Sequence, residues 1–140
     1  MLRNFGAVVI GLIAGNAWNM ALIMLNSMVL FPMAEGATME DPEQMKAYVA
    51  SLPPQAFLVV LAAHVGQAGI GGWIAARLGH SLPMLLAGVI GTLTVAGAAY
   101  NQVALDGPAW MWVDVPLIVA ATWYAGHTEG KRRAALGADA

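Results

Sequence analysis

Charged residues fall in clusters along this chain, and the intervals between clusters are long and apolar. No Asp, Glu, Lys or Arg occurs between Arg3 and Glu35, between Lys46 and Arg77, or between Arg77 and Asp106. Asp114 alone interrupts the stretch from Asp106 to Glu129. A helix crossing a bilayer needs ~20 mostly apolar residues at ~1.5 Å of rise each. The pattern therefore predicts spans over about 5–31, 55–78, 82–105 and 109–127. Runs this long and continuous argue for helices, which satisfy their own backbone hydrogen bonds in lipid, and against the short alternating strands of a barrel. Gly79-His80-Ser81 and Asp106-Gly107-Pro108 are short enough to make the spans they join antiparallel neighbours. The expected fold class is all-α: a membrane-embedded antiparallel four-helix bundle over residues 1–128, with a cytoplasmic tail over 129–140.

The connection over 32–54 differs from the others. It carries Glu35, Glu40, Asp41 and Glu43, and Asp41-Pro42-Glu43-Gln44 combines an N-cap residue, a proline at the first helical position and Gln at the capping-box position. These predict a short helix, Pro42–Ser51, ended by Pro53-Pro54. Met45, Tyr48 and Val49 share one side of it, which suits lying flat at a membrane surface. It reads either as a structured connector or as a lid over an outward cavity.

Composition sharpens the picture. Of 140 residues, 59% are hydrophobic and 10% charged, against ~25% charged in soluble domains. Mean hydropathy is +0.67. A soluble domain so poor in charge could not cover its own surface. The net charge of −2 gives no reason to expect a nucleic-acid partner. Cysteine is absent, which removes thiol redox chemistry and cysteine metal sites. Arg3 and the apolar residues after it resemble a signal peptide, but the apolar run continues through Trp18 to Phe31, longer than a cleaved segment, so a retained helix is expected.

Basic residues set the expected orientation. With four spans, Arg3, Arg77, Lys131, Arg132 and Arg133 lie on one side and Lys46 alone on the other. The positive-inside rule then places both termini in the cytoplasm. Small residues recur four apart: Ala7, Gly11 and Gly15; Ala68, Gly72 and Ala76; Ala87 with Gly91; and Gly88 with Thr92 and Ala96. Such strips let helix backbones approach, within the chain or in a homo-oligomer. Trp110, Trp112, Trp123 and Tyr124 read as interfacial anchors.

Few polar side chains remain inside the spans. Asn16, Asn19 and Asn26 are offset by three and seven on the first, His64 and Gln67 by three on the second, Asn101 sits on the third and Asp114 on the fourth. At ~1.5 Å per residue, Asn26, Asn101 and Asp114 lie ~6–8 Å below the outer boundary and His64 ~14 Å below it. An ionised Asp costs ~2.5–3.5 kcal/mol at a helix centre and less near the interface, so Asp114 should have partners, with His64 and Asn101 within reach. Pro116 also frees a backbone carbonyl in the turn before it. Three readings follow: a structural clamp between helices, a pocket for a small polar ligand, ion or lipid headgroup, or an Asp114–His64 proton relay. His64, His80 and His127 are too scattered to hold a metal. No nucleophile elbow, phosphate loop or paired-carboxylate arrangement supports an enzyme, and no cofactor is implied.

The stretch from Ser51-Leu52-Pro53 to Leu78, with Ala63-His64-Val65-Gly66 and Gly71-Gly72, resembles a family of small four-span bacterial membrane proteins with no established activity. So do Asn101, Pro108-Ala109-Trp110 and Val113-Asp114-Val115-Pro116. The resemblance covers most of the chain. It implies an external acidic loop, a histidine–glycine pair in the second span and a tryptophan-to-aspartate motif entering the fourth, and it singles out His64, Asn101, Trp110 and Asp114. It implies no mechanism. Small multidrug exporters need a glutamate in the first span, and vitamin K enzymes need cysteines. Glutathione-using membrane enzymes and fluoride channels need arginines missing here. The functional expectation is a module that binds or translocates a small polar solute or ion, the alternative an accessory subunit packed against a larger membrane complex.

Overall fold

The computed structural model describes residues 1–36, 38 and 40–137, and among these no strand occurs. Helix α1 spans Leu2–Leu25 and passes directly into a π-helical turn, Asn26–Leu30. Helix α2 spans Pro42–Ser51, α3 Pro54–Leu78 and α4 Pro83–Ala104. A 3-10 stretch, Ala109–Val113, leads into α5, Asp114–Ala135. Proline opens α2, α3 and α4, where its fixed φ suits a helix and its missing N–H is no loss.

Three segments, Leu2–Leu30, Pro54–Leu78 and Pro83–Ala104, are long and apolar enough to cross a membrane. Their outward faces fit that setting: Phe5, Ile13, Leu58, Leu85 and Leu93 are all about half exposed or more, a surface suited to lipid. Helix α5 does not qualify by composition. Asp114 opens it, Thr122, Tyr124 and His127 break its apolar run, and Glu129 to Arg133 close it. It also does not stop at the expected 127. It continues to Ala135, so most of the expected tail is helix.

Helix α3 is the centre of the assembly and packs against α1, α4 and α5, while α1 has only a small seam with α4. The α1–α3 seam is built from backbone. Ala7, Gly11 and Gly15 are buried on α1. A Cβ on Gly11 would lie 2.5 Å from the Gly71 carbonyl oxygen, and one on Gly15 2.6 Å from that of Gln67. Where association must come from packing rather than from water, this proximity is the source of the contact. Ala68, Ala98 and Ile118 join α3, α4 and α5 in one small core, and Ala75, Leu86 and Ile90 join α3 and α4 to Val8 and Leu12 of α1 in another. Thr94 and Thr122 are buried but harmless, since each hydroxyl donates to the carbonyl four residues back, Ile90 and Ile118 respectively.

The two ends of the bundle differ in chemistry. At one end the α3–α4 turn is tied down from both sides. Asn4 Oδ1 accepts from the His80 N–H at 2.7 Å, and Arg3 Nε donates to the Leu78 carbonyl at 3.0 Å. Arg133 donates to the carbonyls of Ala76, Gly79 and His80 at 2.5, 2.8 and 2.9 Å. Those acceptors include carbonyls left without partners where α3 stops. Glu129, whose side chain is 1% exposed, receives Arg77, Arg132 and Arg133. Its carboxyl is held down from the ordinary 4.5 to about 2, chiefly by the hydrogen bond from Arg132 against the opposing effect of burial, with Arg133 and Arg77 adding to it. Every basic residue except Lys46 is on an element that meets this end.

Candidate functional site

The opposite end holds a cavity of about 410 Å³. Helix α1 contributes Asn19 and Met20, the π turn Asn26 and Ser27, α3 Phe57 and His64, α4 Ala99, Asn101 and Gln102, and the start of α5 Asp114. The π turn shapes this wall. Phe31 N–H bonds to the Asn26 carbonyl at 2.8 Å, and the widened turn leaves the successive residues Asn26 and Ser27 both buried. Helix α2 lies across the cavity with Met45, Tyr48, Val49 and Leu52 against it. The Asp41 carboxylate caps α2 through the N–H groups of Glu43 and Gln44 at 3.0 and 3.3 Å. Gln44 does not close the expected capping box. Its amide donates to Asp41 at 2.8 Å and accepts from the Thr38 N–H at 2.9 Å. Two bonds fasten α2 over the cavity: Tyr48 O–H donates to the Phe31 carbonyl at 2.6 Å, and Lys46 pairs with Asp106 at 3.6 Å. Burial raises the Tyr48 phenol above its ordinary range.

Within the cavity wall, His64 and Asp114 are joined directly, Nδ1 to Oδ2. The two residues are 8% and 4% exposed. That contact engages one of the two carboxyl oxygens of Asp114. The other carboxylate oxygen, Asp114 Oδ1, is buried and accepts nothing, as does Asn26 Oδ1. Three of the side-chain donors in the wall are turned to backbone. Ser27 donates to the Ile23 carbonyl, Tyr48 to that of Phe31, and Gln102 to those of Gly107 and Pro108. The cavity wall holds no Lys or Arg among its described residues. It therefore offers one carboxyl group and several amides, set in a mostly apolar enclosure.

Of the seven polar residues singled out from sequence, the cavity gathers Asn19, Asn26, His64, Asn101 and Asp114. Asn101 lines it without bonding to Asp114, and its side chain is exposed. Asn16 and Gln67 stand apart. Asn16 is exposed and donates to its own helix at the Leu12 carbonyl, 2.9 Å away. Three residues turn a helix through ~300°, so Asn16 sits about 60° round from Asn19, off the buried face. Gln67 is taken up in the seam, its Cγ 3.2 Å from where a Gly15 Cβ would be.

Sequence reasoning missed the part of the wall that comes from irregular backbone, namely Trp112 in the 3-10 stretch and the inward turn of Ser27. It also missed the Glu129 cluster, although Glu129, Arg132 and Arg133 have the i, i+3, i+4 spacing of a helical ion network. Three of the exposed tryptophans also make internal contacts. Trp110 meets Phe57 edge-on at 6.2 Å, Trp123 stacks on His127 at 4.7 Å, and Trp18 donates to the Ala62 carbonyl at 3.3 Å. No group of His, Asp and Glu among the described residues could hold a metal ion. Comparison with family models, with curated proteins and with solved structures gave no match.

Proposed function

We propose that this chain is a bacterial inner-membrane protein of four spans whose outward half binds, and passes or presents, a small polar solute or ion in the cavity around Asp114. The observation that carries the reading is the pair of buried, unpartnered oxygens, Asp114 Oδ1 and Asn26 Oδ1, on residues that line one cavity. A buried acceptor left open costs about 1–3 kcal/mol. A clamp whose role was only to hold helices together would have both carboxylate oxygens engaged. In this reading α5 is the fourth span despite its polar residues, because Asp114 is paired to His64 and Thr122 to its own backbone. Both termini are then cytoplasmic, with the Glu129 cluster inside and α2 as the outer cover.

Single-cysteine chemistry tests the cavity cleanly, since the chain has no cysteine of its own. Ala99 lines the cavity from α4 and is only partly buried. Ala99→Cys is expected to react with a membrane-impermeant maleimide added outside right-side-out vesicles. No reaction from either face would remove the pocket.

A second reading, an accessory or homo-oligomeric subunit, is favoured by one feature. Gly88, Thr92 and Ala96 form an exposed strip along α4, and nothing lies within 4 Å of a Cβ on Gly88. This small-residue strip is free to receive another helix. The two readings are compatible, because the strip faces away from the cavity wall.

A further inference from the structure

We propose that the cavity selects a primary ammonium group carried on a short apolar body. This rests on the reading of the cavity as a ligand site and adds the class of ligand. The argument comes from the balance of donors and acceptors. The free hydrogen-bonding atoms that are buried in the wall are both oxygens, Asp114 Oδ1 and Asn26 Oδ1. One belongs to the Asp114 carboxyl group, whose other oxygen is already engaged by His64 Nδ1. The hydroxyls of Ser27 and Tyr48 and the Gln102 amide are turned to backbone carbonyls, and the Asn19 and Asn101 amides in the wall can present an oxygen as readily as an N–H. No Lys or Arg among the described residues stands in the wall to attract an anion.

A bare metal ion fits less well. Hard cations take six or more oxygens, and two open ones do not replace a hydration shell. A primary ammonium has three N–H groups, two of which the open oxygens can take, and it brings its own apolar part. The enclosure suits that part: Met20, Met45, Phe57, Tyr48 and Trp112 line the same cavity. The aromatic faces add attraction for a cation placed near them. A quaternary ammonium has the charge but no N–H to give, and it would leave both oxygens open.

The same chemistry occurs in a free alkylamine and in an ethanolamine lipid headgroup, and the test separates them. The full chain carrying Ala99→Cys is reconstituted in phosphatidylcholine vesicles, and its rate of maleimide labelling is followed with benzylammonium, benzyltrimethylammonium, benzyl alcohol or benzoate present. Benzylammonium is expected to slow labelling by about tenfold once its concentration exceeds its dissociation constant by that factor. The other three are expected to leave the rate unchanged. Asp114→Asn in the same background is expected to abolish the protection while the cysteine stays reactive, which shows that the variant still folds around an open cavity. Vesicles containing phosphatidylethanolamine that protect the cysteine without added amine would identify the headgroup as the source. Equal labelling in both lipids, with benzylammonium protecting, identifies a free amine. Equal protection by benzoate, benzyl alcohol or benzyltrimethylammonium, or protection by none of the probes, overturns the ammonium assignment and leaves the cavity standing. A cysteine that never reacts overturns both.

Discussion

Gly11→Leu is expected to be the most disruptive single substitution in the bundle. Its first added carbon would stand 2.5 Å from the Gly71 carbonyl oxygen and 3.0 Å from the Ala75 Cβ. The nearest atom is backbone, so no side-chain rotation relieves the clash. Helix α1 must move off α3, and α1 has little other support, since its remaining packing is a narrow seam with α4 and the contact with its own π turn. Overpacking of this kind costs about 1–3 kcal/mol and more where the neighbours cannot yield. We expect a loss of at least about 3 kcal/mol, read as an early thermal transition in detergent. Gly88→Leu is the matched control. Nothing lies within 4 Å of its Cβ, so the monomer should melt as wild type does. A change of oligomeric state in Gly88→Leu, with unchanged melting of the isolated chain, would mark the exposed α4 strip as an interface.

Glu129→Gln is expected to loosen the other end. One carboxylate, 1% exposed, holds Arg77, Arg132 and Arg133, and Arg133 in turn holds three carbonyls at the end of α3. Removing the charge leaves Arg133 buried without its counter-charge. Arg77 and Arg132 are about 40% exposed on their side chains and are screened by solvent, so the loss centres on Arg133. Hydrogen bonds to charged groups contribute about 1.5–3 kcal/mol, and we expect a loss of that order at neutral pH. The acid dependence has a definite sign. A carboxyl held down from 4.5 to about 2 in the folded chain contributes its full stabilisation above the ordinary value. That contribution falls away as the pH drops from 4.5 to about 2. Wild type should therefore lose stability steeply across that window, and Glu129→Gln should be flatter there. Parallel acid profiles for the two proteins would show that Glu129 carries no such load.

How much of this was legible in the sequence depended on whether a feature is local. The boundaries of α2 match the expectation, Pro42–Ser51, because Asp41 and Pro42 are start signals that act within one turn. The burial of Ala7, Gly11 and Gly15 was also legible, since spacing by four on a helix fixes a face without knowledge of the partner. Three features were not. The π turn at Asn26 depends on one extra residue in a turn, and no residue type demands it. The 3-10 stretch over Ala109–Val113 replaces what was expected to be the straight beginning of a span. The extension of α5 to Ala135 is stabilised by contacts to the α3–α4 turn more than fifty residues away, which local pattern cannot report. The polar site shows the same division. Asn19 and Asn26, seven apart, share the cavity, whereas Asn16 turned out to face outward because three residues do not complete a turn. The pairing of Asp114 with His64 followed from depth alone, while Asn101 reached the cavity but not the carboxylate.

The central proposal is that α5 crosses the membrane with the other three long helices, and side of access decides it. Three segments have the composition of membrane spans and α5 does not, so the C-terminal side of α5 lies on the same face as the N-terminus with four crossings and on the opposite face with three. Leu136 is exposed, at the end of α5, and carries no hydrogen bond from its side chain. Leu136→Cys in intact cells should resist an impermeant maleimide and react fully once the inner face is opened, while Thr38→Cys in the α1–α2 connection reacts from outside. Labelling of Leu136→Cys from outside in sealed cells would contradict the account.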